Sequence, residues 1–110
     1  MSKTILFIHG AWLTPEIWSP WRAHYEALGY TTLAPAWPLM DRPADELRSN
    51  PHPQLGKLTL SRIADHYASV IETLPEKPIL IGHSYGGLIV QMLLDRGLGA
   101  AGVSIDPGPA

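Results

Sequence analysis

Cysteine is missing from this chain. Its absence excludes disulfides and thiolate metal sites, and fits a reducing, cytoplasmic setting. Charge is sparse in both signs: eight Lys and Arg stand against ten Asp and Glu, with the basic residues scattered. That balance leaves no electrostatic footprint for nucleic acid or an anionic membrane. Long hydrophobic runs are also lacking. The apolar stretch after Met1-Ser2-Lys3 is about six residues long, too short for a signal-peptide core or a bilayer span. Neither internal repeats nor low-complexity tracts are visible. A length of 110 residues makes one domain at most, with an adequate but not generous core.

What is present alternates between strand-like and helix-like segments. Thr4-Ile5-Leu6-Phe7-Ile8 is a continuous β-rich apolar run, as expected of a strand covered on both faces. Thr14-Pro15-Glu16 carries the start signals of a helix: a capping hydroxyl, proline in the first turn, then an acid. Ser19-Pro20 repeats the signal, which predicts two short pieces or a kinked helix ending at Leu28 before Gly29. Thr31–Ala34 reads as a second strand. Five prolines between residues 35 and 58 argue for a long loop there, with room for a helical turn near Ala44–Arg48. Leu60, Ile63, Ala64, Tyr67, Ile71 and Leu74 recur at helical spacing, so an amphipathic helix is expected from Thr59 to Leu74. Pro78–Ile81 is the third strand, Leu88–Asp95 a helix stopped at Gly97, and Gly102–Asp106 a fourth strand. The alternation predicts an α/β fold, a parallel sheet of about four strands flanked by helices.

The stretch that organises the rest is Ile79-Leu80-Ile81-Gly82-His83-Ser84-Tyr85-Gly86-Gly87. Apolar runs flank a serine that has glycine two residues away on each side. A strand running into a helix would place Ser84 on a very sharp turn, in strained backbone geometry usually kept only for function. The turn brings backbone so close that side chains at Gly82 and Gly86 would clash. The hydroxyl would then emerge at a strand's carboxyl end, beside a helix N-terminus that favours developing negative charge.

This stretch resembles the nucleophile elbow of the α/β-hydrolase family. The resemblance extends over nearly the whole chain, corresponding to the family's third to sixth strands. It implies a spatial strand order of second, first, third, fourth. It further implies a serine hydrolase acting on a small acyl substrate, such as an ester, through an acyl-enzyme on Ser84. His9-Gly10-Ala11, after the first strand, matches the turn that supplies the second oxyanion-hole amide. The implied donors are the backbone N–H groups of Tyr85 and Ala11, with Trp12 the alternative to Ala11. His9 itself is structural in the family rather than a proton carrier. Family members with a carboxylate nucleophile are set aside because position 84 is serine. Esterase, thioesterase, lactonase, perhydrolase, carbon–carbon hydrolase and lyase chemistry all stay open.

Several further residues are candidates for the site. Trp12 and Trp37 follow the carboxyl ends of strands, the rim where open α/β sheets bind ligands, and are candidates to line a pocket with His9 and His83. Core packing is the alternative for both tryptophans and the expected role of Trp18 and Trp21. Asp41, Arg42 and His52 sit in the long loop, at the pocket edge or on a solvated surface. No metal or organic cofactor is implied, because no histidine–carboxylate spacing matches a metal site.

The family order of triad residues is serine, acid, histidine. Only 26 residues follow Ser84, and all five histidines (His9, His24, His52, His66 and His83) lie at or before position 83. Asp106 is a candidate acid or simply a turn residue before Pro107. The expectation is therefore a single domain, residues 1–110, incomplete at its C-terminal end, with the triad histidine and acid beyond it. The competing expectation is a non-catalytic fragment or interaction domain. An open last strand predicts self-association through its unpaired edge.

Overall fold

A computed structural model describes residues 2–11, 13–38 and 59–107. The elements in chain order are β1 (Thr4–Ile8), a short 3-10 helix (Pro15–Trp18), α1 (Ser19–Ala27), β2 (Thr31–Leu33), α2 (Leu60–Glu72), β3 (Ile79–His83), α3 (Tyr85–Asp95) and β4 (Ala101–Ile105). Among the described residues the strands form one parallel sheet in the order β2-β1-β3-β4. This is the order expected from the resemblance.

The continuous apolar runs are explained by a sheet packed on both sides. Alternate residues of β1 face opposite ways, as the strand period of two requires. Leu6 and Ile8 join Leu80 and the buried faces of α2 and α3 in the larger core, with Ile63, Tyr67, Ile89 and Leu93. Ile5 and Phe7 point to the other side, where Trp18 and Ile81 complete a smaller core under α1.

The helix boundaries follow their capping chemistry. The Thr14 side chain accepts from the Glu16 N–H and opens the 3-10 helix. The second proline, Pro20, sits in the first turn of α1, so the segment is divided into two pieces as expected. The Thr59 side chain accepts from the Arg62 N–H and caps α2. The two boundaries that flank Ser84 differ from expectation. β3 continues through Gly82 and His83 because it pairs along its whole length with β4. α3 starts at Tyr85, three residues early, because Gly86 and Gly87 are absorbed into its first turn. The helical turn expected near Ala44–Arg48 lies outside the described residues.

Trp18 is buried and packs on Phe7 at 4.9 Å between ring centroids, as an anchor of the smaller core. Trp21 only edges this cluster: it meets Trp18 edge-on at 5.4 Å and remains 39% exposed.

Register sets the position of the site. Ile8 is level with Gly82, and Gly82 with Ser104. Residues 9–11, 83–85 and 105–106 therefore emerge together at the carboxyl edge. β2 and β3 lie on opposite sides of β1, so the strand order reverses there, and open α/β sheets bind ligands at such a point.

Candidate active site

Ser84 joins β3 to α3 with φ 59° and ψ −123°. Its φ lies in the region that side chains disfavour, and the pair matches the first central position of a type II′ turn, usually glycine. Backbone hydrogen bonds hold it there. The Ser84 N–H donates to the Ile105 carbonyl at 3.0 Å, and its own carbonyl accepts from Gly87 at 2.9 Å and Leu88 at 3.3 Å. The hydroxyl caps nothing, although Ser84 occupies the helix N-cap.

The neighbouring glycines are required by packing. A Cβ on Gly82 would strike the carbonyl of Gly86, and a Cβ on Gly86 would strike the carbonyl oxygen of Ile8. Those contacts are to backbone, which has no rotamer to yield. Gly10 lies against Ser84 itself. A Cβ there would stand 3.0 Å from both the Ser84 Cβ and the His83 carbonyl oxygen, and 3.5 Å from the Ser84 Oγ. The loop after β1 thus runs directly past the serine side chain, and Ala11 is the next residue.

Tyr85 is the first residue of α3, and its side chain is 39% exposed. At that position its N–H is one of the helix's unpaired leading donors. Ala11 is half-buried and packs against the larger core.

His9 is fully buried. Its Nε2 accepts from the Trp37 backbone N–H at 3.1 Å, so Nδ1 carries the proton and donates to the Gly10 carbonyl at 2.9 Å. Burial lowers its pKa to about 4, partly offset by the Gly10 carbonyl. A neutral imidazole with both nitrogens engaged braces the loop.

Trp37, at 7% exposure, belongs to the larger core, stacks on His9 and donates its indole N–H to the His9 carbonyl at 2.8 Å. His83 is half-buried, and its Nδ1 has no hydrogen-bond partner among the described residues. Asp106 follows β4, exposed and with φ 44°, one residue beyond the carbonyl that holds the Ser84 N–H. Trp12, Asp41, Arg42 and His52 lie outside the described residues.

Two supports were not visible in the sequence. The Ser104 hydroxyl donates to the Gly87 carbonyl at 2.8 Å and ties the start of α3 to β4. His66 Nε2 donates to the Ala36 carbonyl at 3.0 Å, and the Tyr67 hydroxyl to Pro35 at 2.7 Å, which fixes the chain after β2. Helical periodicity gives Tyr67 its inward face but says nothing about the partner of its hydroxyl. Among the described residues, no group of three His, Asp or Glu side chains is placed to hold a metal ion.

Comparison with known proteins agrees with this geometry. A family model described as "Alpha/beta hydrolase family" matches residues 5–110. No curated protein matches significantly by sequence. Among solved structures, the chain is similar to an extracellular alpha/beta-hydrolase from a Paenibacillus species, with a TM-score of 0.77, 22% identity, and coverage of 97% of this chain and 42% of that one. It is also similar to tomato methylketone synthase I complexed with 2-tridecanone (TM-score 0.72, 22% identity, 97% and 40% coverage). A pyrethroid hydrolase from Sphingobium faniae gives a TM-score of 0.72 at 20% identity, again with 97% and 40% coverage. The chain thus spans about two fifths of the length of these structures.

Proposed function

Because this chain belongs to the alpha/beta hydrolase family, we propose that Ser84 is the nucleophile of an acyl-transfer site acting on an ester or a related small acyl substrate. The Ser84 Oγ attacks the acyl carbon, and its proton passes through a histidine to the departing alcohol. Water then attacks the acyl-enzyme, releases the carboxylic acid and restores the hydroxyl. Charge that builds on the carbonyl oxygen is held by the N–H groups of Tyr85 and Ala11. Each such donor is typically worth about 10²–10³ in rate.

The observation that carries this function is the backbone of Ser84, held at φ 59° with its hydroxyl free of any capping bond. Strain of this kind costs about 1–3 kcal/mol and persists where the surroundings over-determine it. Here it is kept at a residue whose side chain faces the Gly10–Ala11 loop. The proton work falls to a histidine other than His9 and His66. His9 has both ring nitrogens, and His66 its Nε2, committed to backbone partners. Asp106, beside the elbow, is the candidate acid within the chain.

Treatment with a fluorophosphonate probe tests this function. Labelling of Ser84 that disappears in Ser84→Ala is the expected result. Absence of labelling would favour the second reading, a non-catalytic scaffold that keeps the elbow's shape. The engagement of His9 and His66 away from the serine supports that alternative for the 110-residue chain alone.

A further inference from the structure

The peptide unit linking Gly10 to Ala11 is held through its carbonyl. The Gly10 oxygen accepts from His9 Nδ1 at 2.9 Å and from the Leu13 N–H at 3.3 Å. A trans peptide is planar, so its C=O and N–H point in opposite directions. Whatever fixes the Gly10 carbonyl therefore aims the Ala11 N–H.

His9 can donate from Nδ1 only in one tautomer, and Trp37 selects it. The Trp37 backbone N–H occupies His9 Nε2 at 3.1 Å, and its indole N–H holds the His9 carbonyl at 2.8 Å. The two rings stack with centroids 5.4 Å apart and planes 20° from parallel. Trp37 is itself immobilised from behind, because Tyr67 and His66 of α2 hold the carbonyls of Pro35 and Ala36.

We propose that Trp37 is a positioning residue for the oxyanion site: by gripping His9 at ring and backbone, it orients the Gly10–Ala11 peptide and aims the Ala11 N–H at the reacting carbonyl. This role rests on the acyl-transfer function proposed above. Trp37 touches no reacting atom and acts only through His9.

The test changes one N–H group. Trp37 is replaced in the 110-residue chain by 3-benzothienylalanine, which keeps the shape of the indole but carries sulfur in place of N–H. The same replacement at Trp18 is the control, since the Trp18 Nε1 is buried with no partner among the described residues. The loss of one buried hydrogen bond predicts a maximal fluorophosphonate labelling rate at Ser84 about tenfold lower, with the half-saturating probe concentration unchanged within about twofold. The Leu13 amide, bonded to the same Gly10 carbonyl, should exchange with solvent about tenfold faster. 7-Azatryptophan at position 37 keeps the N–H and should restore both values. The Trp18 replacement should alter neither.

Unchanged labelling and unchanged Leu13 exchange in the Trp37-substituted chain would overturn the positioning role. Faster exchange with unchanged labelling would also overturn it, reducing Trp37 to a loop anchor. If the unsubstituted chain does not label, the acyl-transfer function fails and the oxyanion role of Ala11 fails with it. That outcome is distinct from labelling that proceeds but ignores Trp37. Where the isostere lowers expression, Trp37→Phe with the same two measurements gives the same decision.

Discussion

Replacing Ser84 by glycine should stabilise this protein while removing its nucleophile. Ser84 holds φ 59° and ψ −123°, a conformation that glycine adopts freely and other residues adopt under strain. The strain is worth about 1–3 kcal/mol. Glycine returns about 0.5–1 kcal/mol of that through the greater entropy of its unfolded chain. The serine hydroxyl makes no capping bond, so its removal sacrifices no hydrogen bond to the helix. The net gain is about 0–2.5 kcal/mol, centred on about 1 kcal/mol. Ser84→Ala separates the causes: it removes the hydroxyl but keeps the Cβ, so its stability should stay near wild type. For a small domain with a urea slope of about 1–3 kcal/mol per molar, a gain of about 1 kcal/mol raises the midpoint by about 0.3–1 M. Equilibrium urea unfolding followed by tryptophan fluorescence would measure it. A Ser84→Gly midpoint at or below that of Ser84→Ala would refute the claim that this bend stores strain.

Three other outcomes follow from the same geometry. Gly86→Ala should destabilise by about 1–3 kcal/mol or more in urea unfolding, because the new methyl meets the Ile8 carbonyl, which cannot turn aside. Acid should weaken the fold through His9: the native ring stays neutral down to about pH 4, whereas the unfolded ring takes a proton near 6.5. The His9 contribution is thus complete above about pH 6.5 and is lost as pH falls toward 4, a total of roughly 3 kcal/mol at about 1.4 kcal/mol per unit; His9→Gln should flatten that part of a pH–stability curve. At the open edge of the sheet, β4 leaves Val103 48% exposed, and we expect self-association through this strand. Sedimentation should show a concentration-dependent mass that Val103→Lys reduces, and a monomer at every concentration would remove this expectation.

The site was unevenly legible in the residues. Gly82, Ser84 and Gly86 announce themselves because each is the residue type that a tight strand-to-helix bend demands, and their contacts lie within a few positions in sequence. Strand length was harder to read. His83 and Gly82 look like turn residues until β4 pairs beside them and extends β3 to the edge. The start of α3 was misplaced for a related reason: Gly86 and Gly87 weaken a helix by propensity, but Gly86 is needed where the helix crosses the backbone of β1. Trp37 was the least legible. Its place after β2 suggested either a pocket wall or core packing, and only the fold brings it 28 residues back along the chain to His9.

Local sequence alone determined the alternation of strands and helices, the two-sided apolar core of the sheet, and the bend that holds Ser84. Those properties depend on residue periodicity and on backbone sterics, which act between neighbours. The tertiary structure decided which partners are satisfied across the sheet: the tautomer of His9, the grip of Trp37, the tie from Ser104 to Gly87, and the loop that passes against the serine side chain. Hydrogen bonds between distant residues leave no period in a sequence, because their geometry exists only once the strands have taken their register.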